Sequence, residues 1–549
     1  MTKPTHALRL ALVFFLSPLL KADAIETMRI FIFAGQSNME GADSKVGDIK
    51  NFPPFRGLDS PQEDVLFSYC IGRDNKTRSN GWEPLRPIRN LVGPELSFAH
   101  RIKQAIGAPI GIIKCAAGGT HLGGDWNPDA PEGFKMYPLT IQLIKESLAS
   151  LDEQGIPYRI EGVMWHQGEN DMFNEDYMAN YGTNLRRFLA RWRQDLATPD
   201  LRFYIGELCT KTIWGMDLRP RMYAISLGQR AVTDTDPLAD YVRTSHVGVE
   251  IGGGVGLHYH YGTLGQLEHG ENYATTYLSN IGVPSKQTPP ITPWPYKENA
   301  LVKLFVLAGH RNMEGERAFS QDLEQMKSPL SQARGSIAFK YSLGGGVKAS
   351  TDWEALRPAG LYDTFGPELS FARTISEDSE DAIAIAKFTH SGSQMNDWTP
   401  NGTAAKSRHL YPHFVQFVSQ AIQELEQRGH QVSLEGIFYH VGENEMSMPP
   451  YRRQAPAWLE ATIQQVRVEL NRPNLRWFVS QQAPTDDERV NSIDVTTEIE
   501  TLAAKLSNII HIKAFELPAQ EKKLVLNTQG IIRLGQIIGE TYLEQNSNN

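Results

Sequence analysis

Cysteine is scarce in this sequence, and positive charge is not in excess. The 549 residues include three cysteines, Cys70, Cys115 and Cys209, and no C-x-x-C motif. So few cysteines do not build a disulfide-rich scaffold, and an odd number permits at most one internal bridge. The formal net charge is −9, whereas a nucleic-acid-binding protein needs a basic surface. The sequence therefore favours neither a disulfide-stapled fold, nor a C-x-x-C redox or zinc site, nor a nucleic-acid partner.

The mature chain also lacks a hydrophobic run that could span a membrane. The apolar segment at residues 10–20 is too short for a span. It follows Lys3 and Arg9 and precedes a small-x-small motif that ends at Ala24, an order typical of an export signal. We predict a signal peptide at residues 1–24, cleaved near Ala24, and a secreted or periplasmic mature protein. An uncleaved anchor is the alternative.

What the sequence does contain is one set of motifs written twice. The stretch IFIFAGQSNMEG at 30–41 returns as LFVLAGHRNMEG at 304–315. Four further blocks recur in the same order, namely 93–99 at 366–372, 110–120 at 383–393, 161–171 at 435–445 and 199–205 at 473–479. Matched blocks in one order indicate an internal duplication of units of about 250 residues each.

A proline-rich segment separates the two copies. Residues 284–297 contain five prolines among few apolar residues. Because proline fixes φ and lacks an amide hydrogen, such a run is typical of an extended linker. We predict a first domain at 25–283, called unit 1 below, a linker at 284–299, and a second domain at 300–545, called unit 2.

Short apolar segments alternate with helix-like segments in each unit. In unit 1 the apolar segments are IFIFA, IGIIKCA, GVMWH and LRFYI. Their nearly continuous hydrophobicity indicates strands buried on both faces, and the alternation predicts an α/β fold with a doubly wound, mostly parallel sheet. Reactive groups in such sheets gather beyond the carboxyl ends of the strands. One crevice could therefore hold Ser37, Gly118, Gln167 and Glu169, which each follow a predicted strand.

Ser37 has the position of a nucleophile. It follows a strand and opens the next turn, where amide N–H groups favour developing negative charge. A hydroxyl there suits attack on an ester carbonyl, although an N-cap serine would occupy the same place. Gly118 and Gly119 could bring amide donors to an oxyanion or could form a tight turn. Gln167 or Asn170 could complete the oxyanion hole or cap the following helix.

Two histidines near the end of unit 1 are candidate bases. A serine nucleophile needs a base that titrates near neutral pH, which histidine provides. The stretch GLHYHYGTLGQLEHG at 256–270 contains His258 and His260, which would face the same way on an extended segment. The H-x-H spacing also suits a metal, but no carboxylate cluster with ligand-like spacing accompanies it. We predict no metal and no other cofactor.

The order GQSNM, a Gly-Gly block, W-x-Q-G-E and a late histidine before a helix resembles the sialate O-acetylesterase-like (SASA) branch of the SGNH, or GDSL-like, hydrolases. This branch includes carbohydrate esterase family 6, and the match covers residues 28–285. The resemblance implies a flavodoxin-like three-layer α/β/α fold and deacetylation of a carbohydrate. It implies Ser37 as nucleophile and His260 as base, with His258 as the runner-up. It implies an oxyanion and substrate-binding lining drawn from Gln36, Gly118, Gly119, Gln167 and Asn170.

One element of the family pattern is missing. Family members generally have an aspartate three residues before the histidine, but Leu257 stands there for His260 and Val255 for His258. The orienting carboxylate therefore stays open. Acidic residues on other loops that could replace it are Glu169, Glu250 and Asp171. A Ser–His dyad without an acid is the further alternative.

Unit 2 keeps the strands and the GPELSFA block but not the reactive residues. Arg311 replaces the serine, Val441 replaces the glutamine of W-x-Q-G-E, and the histidine position falls near Val525. A guanidinium stays protonated and cannot attack an acyl carbon, although it could hold a carboxylate or a sulfate. We predict a degenerate, non-catalytic copy that serves as a scaffold, packs over the first site or binds sugar.

The sequence thus predicts a secreted carbohydrate O-acetylesterase that removes acetyl groups from a glycan by a Ser–His mechanism. Trp82 and Trp126 are candidates for stacking on the sugar, or are core aromatics. A carbohydrate-binding pseudoenzyme is the alternative, because the orienting acid is missing from its usual place. A lipase-like esterase is disfavoured, since the sequence has no G-x-S-x-G elbow.

Overall fold

The computed structural model describes most of both units. It covers residues 26–74, 76–214, 216–249, 258–284, 287–377, 379–403, 408–443, 452–483, 496–515, 517–520 and 524–547. The predicted signal peptide at 1–24, with its cleavage point near Ala24, lies outside the described residues, and so does the candidate acid Glu250. No helix among the described residues is both long enough and apolar enough to cross a bilayer.

Unit 1 is built on an eight-stranded, mostly parallel sheet. The strands of this unit are β1 (Met28–Gly35), β2 (Gln62–Ile71), β3 (Thr77–Arg78), β4 (Glu83–Leu85), β5 (Ile110–Ala116), β6 (Tyr158–His166), β7 (Phe203–Gly206), β8 (Thr212–Ile213), β9 (Met216–Asp217) and β10 (Ala239–Val242). The sheet order is β10-β7-β6-β1-β5-β2-β3, with β4 paired to β2, while β8 and β9 form a separate hairpin. The strands β2-β5-β1-β6-β7-β10 are parallel, and the five from β5 to β10 lie in the flavodoxin-like order 2-1-3-4-5, with β2 added beside β5.

Unit 2 repeats this sheet. Its strands are β11 (Leu301–Gly309), β12 (Arg334–Leu343), β13 (Lys348–Ala349), β14 (Glu354–Leu356), β15 (Ala382–Thr389), β16 (Gln431–His440), β17 (Trp477–Gln482), β18 (Ile509–Ala514), β19 (Ala519–Gln520) and β20 (Val525–Leu526). The order β18-β17-β16-β11-β15-β12-β13, with β14 paired to β12, matches that of unit 1 strand by strand. The predicted fold, two tandem α/β domains with mostly parallel sheets, is confirmed.

Helices cover both faces of each sheet. In unit 1 the α-helices are Ser37–Glu40, Glu95–Ile106, Met136–Glu153, Glu175–Ala179, Tyr181–Asp195, Arg219–Thr233 and Gly262–Asn280, with 3₁₀ turns at Val46–Asn51, Pro53–Phe55 and Asp171–Phe173. In unit 2 the α-helices are Arg311–Glu314, Ser320–Gln325, Glu368–Ser376, Tyr411–Gln427, Ala455–Glu469, Thr496–Lys505 and Thr528–Ser547, with 3₁₀ turns at Pro329–Ser331, Leu361–Asp363 and Met395–Trp398.

The three layers follow from the alternation of side chains along the central strand. Ile30 and Ile32 of β1 face a core shared with the helices at 136–153 and 181–195. Phe31 and Phe33 face the opposite core, shared with the helices at 95–106 and 262–280. Successive strand residues point to opposite faces, so a strand that is apolar throughout needs a helix layer on each side. The central strand β11 of unit 2 is divided in the same way.

The repeated GPELSFA blocks have the same structural role in both units. Lys114 Nζ on β5 lies 2.7 Å from Glu95 Oε2, and Lys387 Nζ on β15 lies 2.7 Å from Glu368 Oε2. Both pairs are almost fully buried, so each charge depends on its partner for compensation. A Cβ at Gly93 would lie 2.2 Å from the Lys114 Nζ, so a side chain there would displace the buried ion pair. These blocks are therefore part of the fold rather than of the chemistry.

The predicted linker packs against unit 2 in its described part. Ile291 N donates to Trp353 O at 2.9 Å, and Trp294 Nε1 donates to His430 Nε2 at 2.7 Å. Ile291 and Trp294 also lie against the apolar core of unit 2. Residues 287–299 therefore behave as an N-terminal extension of unit 2 rather than as a free extended tether.

The three cysteines are buried free thiols. Cys70 of β2 stands opposite Cys115 of β5 in the parallel register, and a hydrogen bond between the two side chains lowers the pKa of Cys70 to about 7. The single bridge that the cysteine count permits is not formed.

Candidate active site

Ser37 lies at the carboxyl end of the central strand β1. The strand ends at Gly35, which approaches β6 so closely that a Cβ there would lie 2.0 Å from His166 O. The chain then turns into the short helix Ser37–Glu40. Ser37 is 7% exposed. The hydroxyl is thus held in a partly enclosed position where the ends of the parallel strands meet.

His260 and Asp43 complete a chain of contacts with Ser37. His260 Nε2 lies 3.1 Å from Ser37 Oγ, and His260 Nδ1 lies 2.7 Å from Asp43 Oδ2. A carboxylate on one ring nitrogen fixes the tautomer in which the other nitrogen can accept the serine proton. The three side chains therefore have the geometry of a Ser–His–Asp triad.

Asn38 fixes the register of the histidine segment. Its Oδ1 accepts a hydrogen bond from Tyr261 N at 3.2 Å, and its Nδ2 lies 3.5 Å from Tyr259 O. The same Nδ2 donates to Glu169 Oε1 at 2.6 Å. The two backbone contacts bracket His260 and tie it to the end of β1. Asn38 is thus the residue that aligns two distant parts of unit 1.

The acid beside the histidine differs from the candidates of the sequence analysis. Glu169 Oε1 lies 3.1 Å from His166 Nε2, and Asp171 accepts hydrogen bonds from two backbone amides of the loop after β5. The Nδ1 of His260 is met instead by Asp43, which the sequence analysis did not consider. An acid is therefore present beside the histidine, although it does not lie three residues before it in the sequence. A dyad without an acid does not describe this geometry.

The pKa values of the two buried carboxylates after β6 shift in opposite directions. Burial raises the pKa of Glu169, but attraction to His166 and hydrogen bonds from His166 and Asn38 outweigh burial, so the pKa lies below its usual value. Burial also raises the pKa of Asp171, and there the hydrogen bonds from Gln167 and two amides do not offset the effect. Glu169 is therefore the anionic partner of Asn38, and its contribution to the site is to hold that asparagine.

Of the two candidate histidines, His260 is the one bonded to the serine. His258 is fully buried, and its carbonyl accepts a hydrogen bond from Lys211 N at 2.8 Å. Its φ is 57°, so the backbone is not extended at this residue. The alternation argument that gave the two histidines a common direction therefore does not apply to this segment.

The Gly-Gly block lies against the serine. A Cβ at Gly118 would lie 3.3 Å from the Ser37 Cβ, so glycine permits the close approach. Gly118 N donates to Glu40 Oε2 at 2.8 Å, so this amide already has a hydrogen-bond partner within the protein. Gly119 has a φ of 78°, and a Cβ there would lie 2.8 Å from Arg73 Nη1 and 3.8 Å from Asn170 Nδ2. Gly119 and Asn170 therefore border the same space.

The three candidate amide side chains have different surroundings. Gln167 is fully buried, and its Nε2 donates to Thr120 O at 3.1 Å and to a carboxylate. Gln36 Oε1 accepts a hydrogen bond from Gly168 N at 3.1 Å. Asn170 is partly exposed, and its Nδ2 lies 3.5 Å from Thr120 O, which is long for a hydrogen bond. Gln36 and Gln167 thus hold loops together, whereas the Asn170 amide is partly exposed and only weakly bonded.

The tryptophans considered as sugar platforms are core residues. Trp126 is fully buried, and its Nε1 donates to Thr120 Oγ1 at 2.9 Å. Trp82 packs against the same core and donates to Ser147 O at 3.0 Å. Both indole N–H groups are satisfied inside the protein, so the expectation that these residues stack on a sugar is replaced by a packing role.

Two other aromatic side chains are exposed on loops that adjoin the candidate site. Phe173 is 41% exposed and Trp214 is 67% exposed, with ring centroids 6.3 Å apart. Phe173 follows Asn170 by three residues, and Trp214 lies between β8 and β9. That hairpin follows Lys211, whose amide is bonded to the carbonyl of His258. Trp214 therefore lies three residues after a backbone contact with the histidine segment, and the ring of Phe173 lies next to that of Trp214.

The two backbone contacts of Asn38 on either side of His260 form a clamp, and unit 2 has the same clamp around a different residue. Asn312 Oδ1 accepts from Leu526 N at 2.9 Å, and its Nδ2 donates to Leu524 O at 2.9 Å. These contacts bracket Val525 as those of Asn38 bracket His260. Val525 is therefore the structural counterpart of the histidine.

Arg311, at the position of the serine in unit 2, is a buried, salt-bridged residue. Its Nε donates to Glu316 Oε2 at 2.7 Å, and its Nη2 donates to Glu316 Oε1 at 2.5 Å. Its Nη1 reaches Val249 O of unit 1 at 3.3 Å. The guanidinium is thus satisfied by the protein itself, and the expectation that it could hold an external carboxylate or sulfate is not favoured by this geometry.

Asp43 and Asn38 were missed because each looked like an ordinary turn residue. A signal for Asp43 exists in the duplication, because its equivalent 274 residues later is Arg317, just as the equivalent of Ser37 is Arg311. The two residues that touch the histidine thus change together between the copies. Asn38 is kept as Asn312, since both units need the clamp.

Comparison with known proteins places the chain in a family. The family model described as carbohydrate esterase, sialic acid-specific acetylesterase (SASA) matches residues 27–279 and again residues 301–544. A probable carbohydrate esterase from Arabidopsis thaliana is 30% identical over 182 residues, which are 32% of this chain and 66% of that protein. The aligned region therefore spans just under two thirds of that relative's length.

Solved structures with a similar architecture share less sequence. An Arabidopsis thaliana protein is 23% identical, with a TM-score of 0.35, over 46% of this chain and 98% of its own. A carbohydrate acetylesterase from Xanthomonas citri is 17% identical, with a TM-score of 0.34, over 45% and 55%. NanS is 16% identical, with a TM-score of 0.35, over 47% and 98%. At these TM-scores the family assignment rests on the sequence match alone. The chain belongs to the sialic acid-specific acetylesterase (SASA) family of carbohydrate esterases, with one family domain in each unit.

Proposed function

We propose that unit 1 is a carbohydrate acetylesterase with Ser37 as its nucleophile. The observation that carries this proposal is the unbroken contact from Asp43 through His260 to Ser37, with distances of 2.7 Å and 3.1 Å. Membership in a family of carbohydrate esterases supports an acetylated sugar as the substrate. The presence of an acid on His260 favours an enzyme over a carbohydrate-binding pseudoenzyme.

The proposed reaction is acyl transfer in two steps. His260 Nε2 takes the proton of Ser37 Oγ as that oxygen attacks the acetyl carbonyl carbon, and Asp43 stabilises the imidazolium that forms. The bond to the sugar oxygen breaks, and the imidazolium gives its proton to that oxygen. Water then attacks the acetyl-serine with the same histidine as base, which releases acetate and restores the serine.

The negative charge that forms on the carbonyl oxygen needs hydrogen-bond donors. Asn170 Nδ2 is the best placed side-chain donor, because it is partly exposed and borders the space beside Gly119. We propose that Asn170 and the backbone amides of Ser37 and Gly119 form the oxyanion hole. Each such donor contributes about 3 kcal/mol to transition-state stabilisation. Gln36 and Gln167 support this hole by holding the loops that form it.

A sugar ring can be accommodated beside the reacting groups. The exposed rings of Trp214 and Phe173 offer apolar faces on loops tied to the histidine segment. Aromatic faces stack on the apolar side of a ring while polar groups remain at its edge. Arg221, which donates to Glu175 at 2.6 Å, adds polar groups next to Phe173. We propose that these side chains bind the carbohydrate part of the substrate.

The localisation and the role of unit 2 belong to the same proposal. The pattern of residues 1–24 supports export, so the protein would act outside the cytoplasm. The replacement of the serine by Arg311 and of the histidine by Val525 supports a unit 2 that does not catalyse the reaction.

Acetate release from a panel of acetylated glycans tests the function, with p-nitrophenyl acetate as a general acetyl ester. The wild-type protein should release acetate, and Ser37→Ala should lower kcat by at least about 10³-fold. Ser60→Ala, at an exposed serine of the same unit, is the matched control and should keep full activity. A wild-type protein that binds acetylated glycans but cleaves neither ester would instead identify a binding protein.

A further inference from the structure

Unit 2 covers the part of unit 1 that leads to His260. Arg311 Nη1 donates to Val249 O at 3.3 Å, and Arg243 Nη2 donates to Gly345 O at 2.9 Å. Arg311 belongs to unit 2 and Arg243 to unit 1. Each unit therefore donates to a backbone carbonyl of the other near the segment that leads to His260. The described residues before the histidine are therefore packed between units rather than exposed.

The helix after the histidine is held as well. Tyr362 of unit 2 donates its hydroxyl to Asn272 Oδ1 at 2.7 Å, and His246 Nε2 of unit 1 lies 2.8 Å from the same hydroxyl. Asn272 lies on the helix Gly262–Asn280, which begins two residues after His260. Unit 2 thus contacts the chain both before and after the reacting imidazole.

One ion pair joins the units beneath this segment. Glu207 follows β7 and is 2% exposed, and Arg408 of unit 2 is 3% exposed. Arg408 Nη2 donates to Leu208 O at 3.0 Å, and its Nε lies 3.8 Å from Glu207 Oε1. Neither charge has access to bulk water, so each needs the other.

Glu207 in turn organises the backbone next to the histidine. Its Oε2 accepts hydrogen bonds from Ser245 N at 3.1 Å and from Thr244 N at 3.3 Å. Its backbone carbonyl accepts a hydrogen bond from the Tyr261 hydroxyl at 3.2 Å. Tyr261 is the neighbour of His260, so the contacts run from unit 2 to the residue beside the proposed base.

The anionic form of Glu207 depends on cations from both units. Burial raises the pKa of this carboxyl, but attraction to Arg408 and Arg243 outweighs burial and holds the pKa below its usual value. Burial alone would lower the pKa of Arg408, and attraction to Glu207 raises it above its ordinary value. Loss of Arg408 would leave Glu207 with one cation in place of two.

We propose that Arg408 of unit 2 is a positioning residue that acts on His260 through Glu207. The copy that lacks the serine and the histidine would thus be needed for the chemistry of the copy that has them. This inference rests on the proposed reaction of Ser37 and His260, and it adds to that reaction a residue from the other domain.

The test compares two buried arginines of unit 2 in the full-length protein. Arg408→Met should lower kcat on p-nitrophenyl acetate by about 10- to 100-fold with KM within about threefold, because a displaced base slows the reaction more than it weakens binding. Arg408→Lys keeps the charge and should recover part of the loss. Arg467→Met is the matched control, because Arg467 is also buried but bonds to Leu475 O and Ser507 O inside unit 2. Its kcat should stay within about threefold of wild type.

Hydrogen–deuterium exchange separates this inference from the proposed function. Peptides that cover 243–261 should exchange faster in Arg408→Met and at the wild-type rate in Arg467→Met, whether or not the protein has esterase activity. If Arg408→Met does not fold, Glu207→Gln combined with Arg408→Met removes both charges and carries the test. That double variant should also show faster exchange and a kcat below that of wild type. Wild-type kcat and wild-type exchange in the folded variant would overturn the proposal.

Discussion

In unit 1 an asparagine clamps a histidine beside a serine, and in unit 2 the equivalent asparagine clamps a valine. The backbone contacts of Asn38 and Asn312 are the same in kind, and both reach the residues on either side of the clamped position. The sheet order is the same as well. The duplication shows that the geometry of the strand ends is kept where the serine and the histidine are replaced, since a fold and its reactive groups are separate requirements.

The buried glutamates next to the two asparagine clamps differ more between the units than the backbone contacts of the clamps do. His166 Nε2 lies 3.1 Å from Glu169, whereas His440 Nε2 lies 3.8 Å from Glu443. Burial raises the pKa of Glu443 to about 7, while the pKa of Glu169 lies below its usual value. The buried carboxylate is held as an anion in unit 1, where it bonds to Asn38 Nδ2. In unit 2 the equivalent glutamate has a raised pKa because burial is less fully offset by its neighbours.

The largest effect on kcat is expected at Asp43, the acid that unit 1 has and that Arg317 replaces in unit 2. Asp43→Asn should lower kcat by about 10³- to 10⁴-fold, because an amide cannot stabilise the imidazolium and can hold the wrong tautomer. Glu169→Gln should cost less than about tenfold, since Glu169 contacts Asn38 rather than His260. Steady-state kinetics on p-nitrophenyl acetate measure both. A larger loss for Glu169→Gln than for Asp43→Asn would contradict the assignment of Asp43.

The clamp itself provides the next comparison. Asn38→Ala should lower kcat by about 10- to 100-fold, because the histidine segment loses its register. Asn312→Ala removes the equivalent clamp in unit 2 and should change kcat by less than about threefold. Both variants should lower the melting temperature, since each leaves buried backbone groups without partners. Calorimetry and kinetics on the pair test this, and equal losses of kcat would argue against a catalytic purpose for the clamp in unit 1.

The opposite pKa shifts predict opposite pH dependences for the two units. Glu443 has a folded pKa of about 7, above its ordinary 4.5, so its contribution to stability is present below pH 4.5 and is lost as pH rises through 7. This change corresponds to about 3 kcal/mol. Glu169 has a lowered pKa, so its contribution is present above 4.5 and is lost as pH falls through the folded value.

Glu443→Gln removes the carboxyl whose ionisation costs stability. On going from pH 5 to pH 8, the melting temperature of this variant should therefore change more favourably than that of wild type. Glu169→Gln should act in the other direction and reduce the loss of stability on acidification. Thermal unfolding of the three proteins at pH 4, 5 and 8 measures both effects. If Glu443→Gln kept the wild-type difference between pH 5 and pH 8, the glutamate would not be the cause.

The smallest effect is expected at the aromatic pair. Trp214→Ala should raise KM for an acetylated glycan by about 3- to 10-fold and leave kcat/KM on p-nitrophenyl acetate unchanged, because only the glycan has a sugar ring to stack. Phe515→Ala, at a 38% exposed ring of unit 2, is the matched control and should change neither value. Equal losses on both esters would place Trp214 in the structure of the site rather than in sugar binding.

The family and the fold could be predicted from the sequence because each left a local or repeated pattern, whereas the catalytic roles of the site residues stay predictions. Continuous apolar segments predicted the parallel strands, and the repeated blocks predicted two similar units. Ser37 and His260 followed from motifs in family order. Asp43 did not follow from a motif, because one aspartate in a polar turn carries no periodicity that separates it from its neighbours. Its sequence signal is its replacement by Arg317 in the second copy. Trp82 and Trp126 were considered for sugar binding because a tryptophan in a sequence does not reveal whether its ring is exposed.

The sequence by itself determined the duplicated α/β architecture and the loss of reactive groups from the second copy. The burial of strands and their alternation with helices depend on hydrophobic patterns that run along the chain. The tertiary structure alone decided which carboxylate meets the histidine and how unit 2 lies against the histidine segment. The contact between Asp43 and His260 joins residues 217 positions apart, and that between Arg408 and Leu208 joins residues 200 apart. Pairings at such separations are fixed by the packing of whole elements, which no local pattern encodes.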